Sequence, residues 1–379
     1  MNMQEQLIKW RRDLHQIPEL AFQEFQTATY IRQELKNMGY IYYPILETGT
    51  YVYIDYGCSS TIAFRSDMDA LPIFEKNDVE YCSQHPHIMH ACGHDGHMSA
   101  LLGLAKKLKE TKMDFPYNVL FIFQPAEETI GGAKLIVESG LLQKYHVQAI
   151  YGMHLMPYID EGVIACKSGS LMAMCSEVDI TIHGKQAHVG VLQEGIDSLF
   201  IASLALHQYQ NIKHHFSPFA HIIFHIGKIE GGVVRNSVSP NTKMYGTFRC
   251  FDEKDYQTLT RLLEHIHQGL EKTYHCQIEC QITPMYPPVI NSSHLYQQFL
   301  QCVGKNYLEL QNPLMLGEDF SFYQKSVLGL FFFLGTKTEK FQSGLHTETF
   351  DFDEKVLEKA VQLYFSLINC KKSHGKKEK

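Results

Sequence analysis

The sequence has no long hydrophobic run and no CxxC pair of cysteines. No uninterrupted apolar stretch approaches the ~18 residues of a membrane-spanning helix, so we expect no membrane span. The ten cysteines are scattered without a CxxC pair, and the charged N-terminus differs from the apolar core of a secretion signal. We therefore expect free thiols in a reducing compartment and a cytoplasmic location.

Basic residues are also in the minority. The 379-residue chain has 34 lysines and arginines against 41 aspartates and glutamates, which gives a formal net charge of −7. It shows no basic stripe of the kind that binds nucleic acid. The one basic tract, residues 371–379, is expected to be a disordered, solubilising tail. We therefore expect neither nucleic acid nor membrane as a partner.

The first half of the chain alternates helix and strand patterns. Residues 95–110 repeat apolar positions at three and four, which predicts an amphipathic helix. Residues 51–57 and 61–67 are predicted to be neighbouring strands. The short apolar runs 118–123 and 148–153 fit strands that are buried on both faces. This alternation predicts an α/β domain with a mostly parallel sheet flanked by helices.

The pattern changes after about residue 175. Residues 177–184 alternate polar and apolar positions, as a half-exposed antiparallel strand does. With the following segments they form a strand–helix–strand–strand–helix–strand unit, which is the split ferredoxin-like arrangement. We predict that 176–287 is an inserted α+β domain, and that 1–175 and 288–379 together form the larger domain.

The densest group of potential metal ligands is HACGHDGH, residues 90–97. Cys92 and His94 lie at the start of the predicted helix, where a cysteine is favoured as the thiolate that binds metal. Taken alone, the segment is explained equally well as a metal site or as the polar first turn of a helix. A redox cysteine is less favoured, because no resolving cysteine lies nearby in the sequence.

Further potential ligands follow the predicted strands. Glu127 and Glu128 come after 118–123, His154 follows the next buried strand, and His346 follows LFFFLG. Ligands of open parallel sheets bind at the carboxyl ends of the strands, so these side chains are expected at one edge with Cys92 and His94. Thiolate, imidazole and carboxylate suit zinc or a similar divalent ion. Five candidates exceed one tetrahedral site, which indicates two ions.

The adjacent acids Glu127 and Glu128 allow a division of roles. One carboxylate can bind a metal, while the other accepts a proton from a water molecule whose pKa the metal lowers. A solvated pair of acids on a surface turn is the alternative. The first interpretation supplies the minimum set of groups for hydrolysing an amide.

Seven motifs occur in order along the chain: HQIPELAFQEF, RSDMDALPI, MHACGHDGH, FQPAEE, GMH, GEDF and GLHTETF. Together they resemble the metal-dependent amidohydrolases of the aminoacylase/carboxypeptidase superfamily. Within it they resemble the branch of N-acetyldiaminopimelate deacetylases, hippurate hydrolases and plant auxin-conjugate hydrolases. The resemblance extends from about residue 8 to residue 369. It implies a catalytic domain with an inserted lid and dimerisation domain, and hence a homodimer.

The resemblance also implies the residues of the catalytic domain. Two divalent ions (Zn, Mn, Co or Ni) would be held by Cys92, His94, Glu128, His154 and His346, with Cys92 between them and Glu127 as the general base. The residues His90, Asp95, Asp67 and Asp69 would orient the ligands. A packing role is preferred for His97, and Glu318 of GEDF lies near the site without an assigned role.

In the inserted domain, the resemblance implies three functional residues. His188 follows a GK pair and would steady the oxyanion in the partner's active site, although the residues after it depart from the usual pattern. Asn236 and Arg249 would hold polar groups of the substrate, and a guanidinium suits a carboxylate. A surface histidine and a structural salt bridge are the alternatives for His188 and Arg249.

The implied function is a two-metal hydrolase that removes an N-acyl group from an amino acid. N-acetyl-L,L-diaminopimelate, an intermediate of lysine biosynthesis, is the leading substrate; hippurate or a general N-acyl amino acid is the alternative. A function of another class is a metal-containing binding protein without turnover. The presence of Glu127 and all five ligand positions argues against it.

Overall fold

The computed structural model describes residues 1–129, 131–217 and 220–370, so the predicted solubilising tail lies outside the described residues. Its α-helices are α1 Met3–His15, α2 Phe25–Asn37, α3 His94–Glu110, α4 Gly132–Glu138, α5 Leu141–Lys144, α6 Ser198–Tyr209, α7 Glu253–Tyr274, α8 Ser293–Cys302, α9 Ser321–Gln324 and α10 Leu357–Asn369. Short 3₁₀ helices cover Val189–Glu194, Ile212–His215 and Glu354–Val356. The strands are β1 Tyr43–Ile45, β2 Gly49–Ile54, β3 Thr61–Asp67, β4 Asn118–Gln124, β5 Val147–Asp160, β6 Ile164–Cys166, β7 Gly169–Met172, β8 Met174–His183, β9 Ile223–Gly231, β10 Asn241–Cys250, β11 Gln277–Tyr286, β12 Val289–Asn291, β13 Tyr307–Glu309 and β14 Leu328–Lys337.

The described chain divides into two compact units. The first comprises Met1–Leu171, Val289–Pro313 and the chain from Glu318 onward. The second comprises Met172–Pro288 and the short segment Leu314–Gly317. The range 176–287 lies within the second unit, and its role as a lid and dimerisation domain stays a prediction.

The first unit is built on an eight-stranded sheet with the order β1-β2-β4-β3-β5-β14-β6-β13. The central strands β4, β3, β5 and β14 are mutually parallel, whereas β2 and β6 run antiparallel to their neighbours β4 and β14. Every residue of β3 and β4 is buried, which explains their continuous apolar sequences.

Helix α3 packs on β3 and contacts both α1 and α10. Gly103 makes this close approach possible, because a β-carbon there would lie 2.7 Å from side-chain carbons of both Leu7 and Val361. Residues of α1, α3 and α10 share one hydrophobic core with the central strands. Helix α3 is therefore packed closely against the sheet and both neighbouring helices.

The second unit contains a four-stranded antiparallel sheet with the order β11-β8-β10-β9. Residues of β8 alternate between buried and more exposed positions, and its apolar side chains share a core with those of α6 and α7. This arrangement and the parallel centre of the first sheet confirm the predicted fold class.

One strand relation differs from the expectation. The strands predicted at 51–57 and 61–67 exist as β2 and β3, but they are not paired, because β4 lies between them. The short connection in the sequence therefore crosses over one strand. Among the described residues, no helix combines the length and hydrophobicity that crossing a membrane requires.

Candidate metal centre

The five predicted metal ligands form one continuous cluster in the first unit. Cys92 Sγ lies 3.3 Å from His154 Nε2 and 3.3 Å from His346 Nε2. The Oε1 atom of Glu128 lies 3.3 Å from His346 Nε2 and 3.8 Å from His94 Nε2. Cys92 is therefore central, since it belongs both to a group with His94 and His154 and to one with Glu128 and His346.

The sheet brings these side chains to its carboxyl edge. Strand β4 ends at Gln124, shortly before Glu127 and Glu128, and α3 begins at His94 itself. His154 was expected just past its strand, but it lies inside β5, which continues to Asp160. The last residue of β5 that pairs with β3 is Gly152, and beyond it β5 pairs only with β14. His154 therefore lies just beyond the point where β5 stops pairing with β3, and its ring faces the cluster.

Backbone carbonyl groups set the orientation of two histidines. His94 Nδ1 lies 2.8 Å from the carbonyl oxygen of Asp69, and His154 Nδ1 lies 2.6 Å from that of Leu155. A carbonyl only accepts, so each Nδ1 carries a proton, and in the neutral form of each ring it is Nε2 that offers a lone pair to a metal ion. His94 Nε2 is buried without a hydrogen-bond partner among the residues that the structure describes.

The turn that carries the two adjacent acids is fixed by Asp69. Its two carboxylate oxygens accept hydrogen bonds of 2.9 Å from the backbone N–H groups of Glu127 and Glu128. Ala126 has a left-handed backbone (φ +57°), and its N–H donates to Glu24 Oε1 at 2.9 Å. Asp69 therefore positions both acids through the backbone and His94 through its own carbonyl group.

Sequence reasoning missed Glu24. It is fully buried, accepts a 2.7 Å hydrogen bond from the Thr48 hydroxyl and also accepts one from the backbone N–H of Ala126. Burial, and then the nearby carboxylate of Asp69, raises the pKa of Glu24 to about 7. The Glu of the AFQEF motif was the available signal, but nothing in its spacing connects it to residue 126.

Glu127 lies in a group of buried acids. Its carboxylate oxygens are within 4.8 Å of those of Glu318 and Asp319. Burial, and then the charges of Glu318 and Glu128, raises the pKa of Glu127 well above its usual value. These surroundings favour the protonated form of Glu127. A general base passes through this form after it has accepted a proton. They also place Glu318, to which the sequence assigned no role, beside the predicted base.

Arg65 supplies the opposing positive charge. Its guanidinium is fully buried and contacts Glu318 at 3.0 Å, Asp319 at 2.6 Å and Asp67 at 2.9 Å. Its Nε donates to the Gln124 side-chain oxygen at 2.8 Å. Unpaired buried charges are costly, so this network holds the acids in place under the cluster. The RSD of RSDMDALPI marked Asp67, but Arg65 itself was missed.

His97, for which a packing role was preferred, is buried and forms two hydrogen bonds. Its Nε2 accepts a 2.9 Å hydrogen bond from the backbone N–H of Leu155, and its Nδ1 lies 2.7 Å from Asp67 Oδ1. Since Nε2 accepts, Nδ1 must carry the proton and donate to Asp67. His97 thereby joins α3 to β5 next to His154.

Two residues expected to orient the ligands do not contact them by hydrogen bonds within the described chain. Asp95 instead accepts from Arg11 at 2.9 Å and contacts His15 at 2.7 Å. His90 is buried, and neither of its ring nitrogens has a hydrogen-bond partner in the described part of the protein. Their orienting role therefore stays a prediction without a hydrogen bond to support it, whereas Asp69 bonds directly to the ligand segments.

The surroundings of Cys92 differ from those expected for a thiolate at a helix terminus. Cys92 precedes the helix, since Gly93 is the N-cap, and it is buried. Burial, and then the charges of Glu128 and Glu127, raises the pKa of the Cys92 thiol well above its usual value. The helix terminus therefore does not by itself produce a thiolate here, because desolvation and the neighbouring carboxylates oppose it.

Comparison with known proteins identifies the family. Residues 63–369 match the model of peptidase family M20/M25/M40. The chain belongs to this family. The uncharacterized hydrolase SAB1253 of Staphylococcus aureus is 38% identical, over 97% of this chain and 99% of the relative. The resemblance inferred from the seven motifs is thus confirmed, and the chain is a hydrolase of the M20 family.

Two solved structures extend the comparison. The Bacillus subtilis YXEP protein, a dinuclear metal binding peptidase from the M20 family, is 32% identical with a TM-score of 0.85 over 97% of both chains. The aminobenzoyl-glutamate utilization protein of Klebsiella pneumoniae is 20% identical, with a TM-score of 0.68 over 99% of this chain and 98% of that one. The second likeness shows the fold alone.

The three residues predicted to serve the substrate from the inserted domain all lie in the second unit of this M20-family chain. His188 is exposed, and its Nδ1 accepts from the Gly190 N–H at 3.0 Å. The Val189 N–H donates to the carbonyl oxygen of Asn236 at 3.1 Å, so the segments of His188 and Asn236 are adjacent. Arg249 donates to the carbonyl oxygen of Met315. Their catalytic roles stay predictions.

Proposed function

We propose that this M20-family hydrolase uses two divalent metal ions to cleave the amide bond of N-acyl amino acids. The observation that carries the proposal is the cluster of Cys92, His94, Glu128, His154 and His346, with Glu127 beside it. Zn²⁺, Mn²⁺, Co²⁺ and Ni²⁺ all accept the mixture of thiolate, imidazole and carboxylate ligands. The metal content of the Bacillus relative supports the proposal.

The residues present fit this pair of ions. His94 Nε2 is buried, faces Glu128 Oε1 at 3.8 Å and has no hydrogen-bond partner among the described residues, and burying a polar atom without a hydrogen bond is costly. Cys92 belongs to both groups of potential ligands, the one with His94 and His154 and the one with Glu128 and His346. This position would suit a ligand that serves both ions. The backbone carbonyls that hold His94 and His154 are the kind of partner that metal-bound histidines have in proteins.

The protein's own groups then perform the proton transfers. The ions would supply Lewis acidity to the amide carbonyl and to the attacking water. Glu127 accepts the proton of that water and afterwards delivers it to the amine that leaves. The Asp69 bond to its backbone N–H fixes its position, and burial, followed by the carboxylate of Glu318 beside it, raises the pKa of Glu127 and so favours its protonated form.

For the substrate, N-acetyl-L,L-diaminopimelate is our leading candidate, which would place the reaction in lysine biosynthesis. The segments SGSLMAMCSE and GEDFSFY, which resemble those deacetylases, support it. Hippurate and general N-acyl amino acids are the alternatives, because a fold does not specify a substrate. Turnover of a panel of N-acyl amino acids by metal-loaded protein tests the assignment. If the enzyme prefers hippurate to every acetylated substrate, the assignment of N-acetyl-L,L-diaminopimelate is wrong and hippurate takes its place.

Metal removal tests the core of the proposal. Treatment with a chelator is expected to abolish hydrolysis, and Zn²⁺, Mn²⁺ or Co²⁺ should restore it. Elemental analysis of the restored protein should give two ions per chain, because the donor set exceeds one tetrahedral site. Full activity of protein shown to be metal-free would refute the two-metal reaction. A binding protein without turnover would instead take up two ions and hydrolyse nothing.

We further propose a cytoplasmic homodimer that associates through the second unit. Four exposed apolar side chains support association through this unit. They are Leu199 and Phe200 at the start of α6, and Val233 and Val234 after the edge strand β9. Such contiguous exposed patches mark interaction sites. The ten unpaired cysteines are consistent with a reducing cytoplasm.

In this dimer, His188 of one protomer would steady the oxyanion at the metal centre of its partner. Neither His188→Ala nor Glu127→Gln protein should be active alone. Mixing them should restore about one quarter of wild-type activity after random subunit exchange, because half of the dimers then carry one intact composite site out of two. Fluorescent labels on the two variants verify exchange. Exchange without recovered activity, or an active monomer by light scattering, would exclude action across the dimer.

A further inference from the structure

Two cysteines lie together at the ends of helices α8 and α10, away from the candidate metal centre. Cys302 is the last residue of α8, and Cys370 follows the last residue of α10. Cys370 lines a cleft of about 280 Å³ with Ile62 of β3, Ala149 of β5 and Leu328 of β14. These three residues lie near the amino ends of the parallel strands. The cysteine pair is therefore at the sheet edge opposite the metal ligands.

The hydrogen bonds of the two thiols are reciprocal. Cys302 Sγ donates to the carbonyl oxygen of Ser366 at 3.6 Å, and Cys370 Sγ donates to that of Gln298 at 3.7 Å. Ser366 precedes Cys370 by one helical turn, and Gln298 precedes Cys302 by one turn. Each thiol therefore contacts the last turn of the helix that carries the other cysteine. The Cys370 thiol also donates weakly to the side-chain oxygen of Gln301, the residue before Cys302, at 3.9 Å.

The two cysteines differ in their access to solvent-borne reagents. Both are half-buried, but Cys370 lines the cleft, whereas Cys302 does not. Burial, and then the neighbouring Cys370 thiol, raises the pKa of Cys302 to about 12, so Cys302 is a neutral thiol at pH 7. A small oxidant that enters the cleft would thus meet Cys370 first, with Cys302 poised behind it.

We propose that Cys302 and Cys370 are an oxidation site that forms a reversible disulfide with hydrogen peroxide. The Cys370 sulfur attacks peroxide, so that an S–O bond forms, the O–O bond breaks and one water leaves. The Cys302 sulfur then attacks the resulting sulfenic acid, loses its proton and displaces the second water as the S–S bond forms. Two thiols and one peroxide therefore give one disulfide and two waters. A thiol reductant reverses the reaction by exchange.

The bond would link α8 to α10, which packs against α3 and thus against the helix that begins at His94. It closes the segment 302–370 and restricts the unfolded chain, which raises the stability of the oxidised form. We expect a rise in Tm on the order of 5 °C for a protein of this size.

Peptide mapping of the metal-loaded, full-length enzyme tests the proposal. After brief peroxide treatment and blocking of free thiols, trypsin should yield fragment 273–305 linked to fragment 360–371, and dithiothreitol should separate them. Fragment 273–305 also contains Cys276 and Cys280, so the Cys302→Ser variant decides which thiol is bonded. The linked peptide and the Tm rise should disappear in Cys302→Ser and in Cys370→Ser.

Cys58→Ser is the matched control, because the Cys58 thiol is also half-buried and bonds to a carbonyl oxygen, that of Phe115 at 3.3 Å. It should retain both the linked peptide and the Tm rise. The untreated Ser variants should show wild-type Tm within a few degrees, and Cys302→Ala provides a second variant if they do not. The proposal fails if peroxide oxidises other cysteines of the wild type without producing the linked peptide. It also fails if the same linked fragments persist in Cys302→Ser.

Discussion

Glu127→Gln is expected to lower kcat by about 10²–10⁴-fold without changing the metal content. The amide preserves the length and shape of the side chain, but it cannot accept the proton of the attacking water. Its backbone bond to Asp69 is unaffected, so the turn should remain intact. Steady-state kinetics on an N-acetyl amino acid together with elemental analysis of the same sample measure both quantities.

Glu128→Gln is the matched comparison, because its backbone N–H bonds to the same Asp69 carboxylate. Its Oε1 lies within the ligand cluster, 3.3 Å from His346 Nε2, so the substitution should weaken metal binding first. Excess metal should therefore rescue part of the activity of Glu128→Gln and none of that of Glu127→Gln. Equal losses of activity at normal metal content in both variants would show that the two roles are assigned incorrectly.

The general architecture could be predicted from the sequence because the buried strands are short and continuously apolar. Strands β3 and β4 are buried along their whole length, and the parallel arrangement follows from the helices between them. The order of the strands could not be predicted in the same way. Insertion of β4 between β2 and β3 is decided by pairing over long sequence distances, to which hydrophobic periodicity is insensitive.

In the candidate metal centre, too, some residues could be predicted from the sequence and others could not. Glu127 and Glu128 could be placed because the carboxyl end of a buried strand is a recognisable position in the sequence. Glu24 and Arg65 could not, because their partners come from distant segments that only the folded chain brings together. Both are charged residues in a buried environment, and their function is visible only in the contacts that compensate their desolvation.

Cys92 shows the limit of a local argument. Its position before a helix predicted a stabilised thiolate, but burial and two neighbouring carboxylates raise the pKa of the thiol instead. The interaction that favours the thiolate at this position would then be metal binding itself, since the thiolate is the form that coordinates. Slow alkylation of Cys92 in metal-free protein is therefore expected, since the thiol form is the poorer nucleophile.

Cys92→Ala is expected to abolish hydrolysis and to reduce the metal content below two ions, because it removes the donor shared by both halves of the cluster. Cys92→Asp should retain measurable activity with a preference shifted toward Mn²⁺, since an oxygen ligand favours harder ions than a thiolate does. Cys166→Ala, which removes another buried thiol outside the cluster, should keep two ions. Activity and metal content measured after reconstitution with Zn²⁺ or Mn²⁺ decide the matter. Two ions and normal turnover in Cys92→Ala would mean that the histidines and Glu128 hold the metals without the cysteine.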